Sequence, residues 1–114
     1  MLDKISQIKL AKVLALKFNS GDWRELFAVT DCEDVPAGLN QFYRHVEWGN
    51  DQLKGVAIAA IETTLSRDAD NLSKIWALDN VQRYISNTDN DLFNEIKDIV
   101  MLNVKAVRNV LTVR

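Results

Sequence analysis

A single proline and four isolated glycines are all that interrupt this chain of 114 residues. With so few breakers, apolar residues recur at spacings of three and four almost everywhere, and strand-like alternation is scarce. The pattern predicts an all-α domain, a compact antiparallel bundle of five to six helices joined by short connections, with residues 1–114 as one unit. That length and a hydrophobic content of 47% are enough for a core without metal or disulfide staples. The lone Cys32 leaves no internal disulfide and fits a reducing compartment. No apolar run approaches the roughly 18 residues of a membrane helix and no leader pattern opens the chain, so a soluble cytoplasmic domain is expected.

Ile5, Ile8, Ala11, Leu14 and Phe18 are expected to form the buried stripe of a first helix over about residues 3–18, with Asp3 as its cap. Leu10, Val13 and Leu16 widen the apolar face and predict enclosure on more than one side. Gly21 stands where a left-handed residue would end that helix. Asp22 and Glu25 have capping-box spacing for a short second helix anchored by Trp23, Leu26 and Phe27. The polar stretch Thr30 to Asp34 leads to a brief turn in which Pro36 takes an early helical position, Asp31 or Asp34 being its cap. A third helix is expected from about Gly38 to Trp48, with Leu39, Phe42, Tyr43 and Val46 on one face, Gly49 as its left-handed end and Asn50 as the cap of the next helix.

A fourth helix, from about Asp51 to Leu65, carries the small, apolar run Gly55 to Ile61 and reads as the centre of the bundle. A fifth follows Asp68 or Asp70 with Leu72, Ile75 and Trp76, and either kinks or breaks at Asp79-Asn80. Asn87 to Asn90 reads as a loop. The last helix presents Phe93, Ile96, Val100, Val104, Val107 and Leu111, and some of its β-branched residues also alternate as a strand would.

Chemistry finds few footholds. Metal binding needs clustered ligands, and His45 and Cys32 are single residues without a partner at ligand spacing. A Cys32–His45 nucleophilic pair requires the fold to bring the two together, with His45 off the apolar stripe and partly exposed. The glycines are isolated, so no phosphate loop exists. Trp23, Trp48 and Trp76 could stack bases, but a net charge of −2 supplies no basic groove for nucleic acid. Trp23 and Trp76 fall on core stripes, whereas Trp48, beside Gly49, is either a packed corner or an exposed contact. No catalytic residue, cofactor or metal is therefore expected.

Charge is more informative. Lys4, Lys9, Lys12 and Lys17 against Asp3 give residues 1–19 a net +3. Asp22, Glu25, Asp31, Glu33, Asp34, Glu47 and Asp51 against Arg24 and Arg44 give residues 20–51 a net −5. Two such poles favour head-to-tail protein contacts when an apolar anchor such as Trp48 joins them. The expected interface residues are Lys9, Lys12, Arg44, Glu47, Trp48 and Asp51.

A leading amphipathic helix, then Gly21-Asp22-Trp23-Arg24-Glu25-Leu26-Phe27, an acidic loop, Phe42-Tyr43-Arg44 and Trp48-Gly49-Asn50-Asp51 follow in order. Over roughly residues 5–76 this resembles the bacterial effector-associated, death-like or CARD-like adaptor domains of antiphage conflict systems. The resemblance implies a six-helix death-fold-like bundle with no active site of its own. It also implies homotypic contacts with a partner that carries a like domain on a protease, TIR or STAND NTPase effector, and self-association. An alternative is a small acidic immunity or anti-defence protein whose residues 20–51 mask a basic toxin or effector surface.

Overall fold

The computed structural model describes residues 2–112, and side-chain surroundings for residues 2–102. Seven α-helices form it, with no strand among the described residues: α1 (Lys4–Lys17), α2 (Ser20–Val29), α3 (Phe42–Trp48), α4 (Gln52–Arg67), α5 (Asn71–Trp76), α6 (Asp79–Thr88) and α7 (Asn90–Thr112). A short 3₁₀ turn, Pro36–Gly38, lies between α2 and α3. The all-helical bundle expected from spacing is present, with seven helices because the fifth expected helix is split in two.

Helix α1 is capped by Asp3, whose carboxylate accepts the Ser6 backbone N–H at 2.7 Å. That bond holds the Asp3 carboxyl below its ordinary pKa. Leu10, Ala11, Val13 and Leu14 are buried, and α1 packs chiefly on α4 and also touches α6 and α7. Ile5 and Leu16 are 69% and 72% exposed, which corrects their assignment to the core. The buried position beside them is taken by Ser6, whose hydroxyl donates to Glu95 on α7 at 2.6 Å.

Gly21 does not end α1. Phe18 ends it in an extended conformation, and Gly21 lies inside α2. The capping box starts three residues earlier than Asp22 as well. Asn19 is the N-cap, its Oδ1 accepting the Asp22 N–H at 2.8 Å, while Asp22 Oδ2 accepts the Asn19 N–H at 3.1 Å. Asn therefore does the work of Ser or Thr, and Asp that of Glu. Asp22 Oδ1 also accepts from Asn80 Nδ2 on α6 at 2.8 Å, which ties the start of α2 to a distant helix.

The chain then turns at two left-handed residues that are not glycine, Asp31 and Gln41. Between them Val35, rather than Asp31 or Asp34, precedes the 3₁₀ turn, and Pro36 opens it as expected. Gln41 delays the third helix to Phe42, past the expected start near Gly38. Asp34 forms a bidentate pair with Arg67 at the end of α4, at 2.6 and 2.7 Å.

Helix α4 touches α1, α3 and α5, consistent with its central place. Ala57, Ala60 and Ile61 are fully buried there, but Gly55 is exposed with open space around it and mediates no close approach. The fifth expected helix is broken at Ala77-Leu78 into α5 and α6, two residues before the expected place. Asn87 and Thr88 are helical, so the expected four-residue loop shrinks to Asp89. Leu92, Ile96 and Val100 carry α7 into the core, and the strand alternative for this segment is overturned. The side chains of Val104, Val107 and Leu111 lie outside the described residues.

An aromatic cluster closes one end of the core. Trp23 meets Phe18 and Phe42 edge-on, each with ring centroids 5.2 Å apart, and stacks on Phe27 at 5.8 Å. Trp23 is fully buried and Trp76 nearly so, as their positions on helical stripes imply.

Candidate protein-interaction site

Helix α3 is a seven-residue wedge whose inner side chain, Phe42, is locked against Trp23 and Phe27. Its C-cap is Gly49, at φ 61° and ψ 32°, with its N–H donating to the His45 carbonyl at 2.9 Å. That conformation is open to glycine at little cost, which suits Gly49 to end α3 here. Asn50 does not cap α4; its Nδ2 donates to His45 Nδ1 at 3.0 Å, and Asp51 precedes α4 without a side-chain cap.

His45 is buried, against the expectation that it is partly exposed. Accepting the Asn50 amide commits Nδ1, so the ring serves as an internal strut for the corner. The Trp48 indole stands edge-on to it, with centroids 6.3 Å apart and planes at 78°. Trp48 is nevertheless 62% exposed, which decides between the packed and the exposed alternatives. Arg44, Glu47 and Asp51 are exposed around it. Helical spacing puts Arg44, Glu47 and Trp48 on one face.

Lys9 and Lys12 are also exposed, on the outer face of α1. They follow Ile5 at i+4 and i+7, with Leu16 at i+11, so two exposed apolar side chains bracket two ammonium groups along about 16 Å of helix. The structure does not bring these lysines to the Trp48 corner. Helix α1 buries its other side on α4, while α3 packs on α4, α2 and the 3₁₀ turn, so the poles form two separate surfaces. The part played by Ile5 and Leu16 was missed in the sequence. The signal was there, because α1 has apolar residues on both faces and only one face can meet the core.

A groove of about 560 Å³ lies near the corner, lined by Arg24, Phe27, Ala28, Glu33, Pro36, Ala37 and Tyr43. The Arg24 guanidinium sits 4.0 Å over the Tyr43 ring. Burial pushes the Tyr43 phenol above its ordinary pKa, and the nearby Arg24 cation partly offsets that.

Cys32 is buried, with its Sγ donating to the Thr30 carbonyl at 3.3 Å and accepting the Asn71 amide at 3.9 Å. Among the described residues no three His, Cys, Asp or Glu side chains gather in a way that could hold a metal ion. Among them, too, no helix is long and apolar enough to cross a membrane.

The model of the family described as AbiJ N-terminal domain 5 matches residues 2–93, most of the chain and every element from α1 to α6. The chain belongs to the AbiJ N-terminal domain 5 family. AbiJ N-terminal domains are abortive-infection domains, so this one is associated with antiphage defence, as the sequence resemblance implies. No curated protein and no solved structure matches the chain. The match ends within the first turn of α7, so the Trp48 corner and the α1 face both lie inside the AbiJ-type region.

Proposed function

We propose that this domain is a non-catalytic adaptor or recruitment module of antiphage defence, acting through death-like, homotypic contacts between helical bundles. Its partner is a protein carrying a like domain on a protease, TIR or STAND NTPase effector, met in the cytoplasm without nucleic acid or membrane. The observation that carries the reading is Trp48, a large apolar side chain held 62% exposed on a glycine-set turn and braced by a buried histidine. A soluble domain gains nothing in stability from exposing an indole there, whereas tryptophan surrounded by charged residues is a common anchor of protein interfaces. The separate face of Ile5, Lys9, Lys12 and Leu16 supports a second contact of opposite charge.

Trp48→Ala is expected to leave the thermal unfolding midpoint unchanged while lowering retention of the effector partner at least tenfold and removing phage protection. Lys9→Glu with Lys12→Glu is expected to weaken retention in a salt-dependent manner. Unchanged protection in both variants, or unfolding of Trp48→Ala, overturns the reading.

The exposed carboxylates Glu25, Asp31, Glu33, Glu47 and Asp51 favour the second reading, an acidic immunity or anti-defence protein covering a basic surface. Capture from host cells separates the two, since that reading requires a basic toxin or effector in place of a like-folded partner.

A further inference from the structure

The exposed face of α3 has a charge pattern that matches its own reverse. Arg44 and Glu47 stand one turn apart, about 4.5 Å along the axis, both exposed and on the same side as Trp48. Among the described residues neither forms an ion pair, the one such pair being Arg67 with Asp34. Turning the helix end for end about a point between His45 and Val46 exchanges position 44 with 47 and position 43 with 48. An antiparallel second copy therefore sets each guanidinium opposite a carboxylate, with one Trp48 beyond each end of the paired charges.

We infer that the exposed face of α3 is a twofold self-association surface, with a second copy of this chain as its occupant. The inference rests on reading the Trp48 corner as the interaction site, and it names the partner there. Arg44 of each copy pairs with Glu47 of the other, and the exposed indoles flank these pairs along the seam. Desolvating the indole supplies the attraction and the reciprocal charges fix the direction. A twofold contact uses the same patch on both copies and closes at two, unlike the head-to-tail growth that the two poles alone would favour.

The test measures the molar mass of the full chain by light scattering over a concentration series, with circular dichroism to confirm folding. The wild type should approach twice its 13.0 kDa mass and grow no further. Arg44→Glu and Glu47→Arg should each remain monomeric, at concentrations at least tenfold above the wild-type midpoint. An equimolar mixture of the two should form dimers, because one variant presents two carboxylates and the other two guanidiniums. The double variant Arg44→Glu/Glu47→Arg, which keeps the reciprocal pairing, should regain the homodimer. A monomeric wild type, growth beyond two copies, dimeric single variants, or no rescue on mixing would each overturn the inference. Its failure is separable from failure of the adaptor reading. If the wild type is monomeric yet Trp48→Ala loses its effector, recruitment stands alone; if the wild type is dimeric yet Trp48→Ala still protects against phage, the dimer stands alone.

Discussion

Gly49 and Gly55, six positions apart, give opposite responses to the same substitution. Gly49 holds a left-handed conformation at φ 61°, so Gly49→Ala should cost about 1 kcal/mol and disturb the Trp48 corner. Gly55 lies inside α4 with open space where a Cβ would go, so Gly55→Ala should stabilise by roughly 0.5–1 kcal/mol. Denaturant unfolding of the two variants checks both signs. Asp34 gives a pH-dependent counterpart. The Arg67 guanidinium beside it holds its carboxyl below the ordinary value of 3.8, so the pair's stabilisation is present above that value and is lost as pH falls through the lower, folded one. Asp34→Asn should therefore melt slightly below wild type at neutral pH, and the two melting curves should converge in strong acid. The effect is small because both partners are exposed to water. At this scale the sequence was legible where one residue's chemistry decides the outcome, as at Gly49, Asp3 and Pro36. It misled where a turn is made without glycine. Asp31 and Gln41 take left-handed conformations while Gly21 sits in an ordinary helix, so residue type alone did not locate the turns.

Among the elements, α2 shows why helix boundaries are harder to read than helices. Trp23, Leu26 and Phe27 identify the helix, but its start depends on Asn19 and Asp22 bonding each other and on Asn80 reaching Asp22 from α6. Local spacing cannot report that last contact. Asn19→Ala should cost about 1 kcal/mol, the ordinary worth of an N-cap. Asn80→Ala should weaken the same helix start without touching α2, and a double-mutant cycle with Asp22→Ala should show coupling between them. The α5–α6 break has a similar origin. Gln82 Nε2 donates to the Trp76 carbonyl at 2.8 Å, satisfying a helix end that spacing alone could not locate. Helix α1 was read as enclosed because it has apolar residues all round. The structure buries one side and leaves Ile5 and Leu16 to water, a distinction that depends on where the other helices go.

For the whole molecule, the fold extends further than the family match. The matched region stops at residue 93, yet Ile96 and Val100 are buried and Glu95 bonds Ser6. A chain ended at residue 93 should lose two core side chains and that bond. Each buried aliphatic is worth about 2–5 kcal/mol, so the shortened chain should show broad, weakly cooperative melting where the full chain melts sharply. The candidate site was legible in the sequence as a list of residues but not as an arrangement. Charge placed Lys9 and Lys12 in one pole and Glu47 and Asp51 in the other, while the separation of the two surfaces by α4 required the fold.

The Ser6–Glu95 bond spans 89 positions of sequence, and it carries a consequence for biosynthesis. At ribosomal speeds of about 5–20 residues per second, α1 emerges roughly 4–18 s before the first turns of α7 that complete its shelter. Through that interval a helix with apolar side chains on both faces has no finished pocket to enter. Protection of the nascent chain in those seconds, by the ribosome surface or a chaperone, then matters as much to the yield of this domain as the stability of the finished bundle.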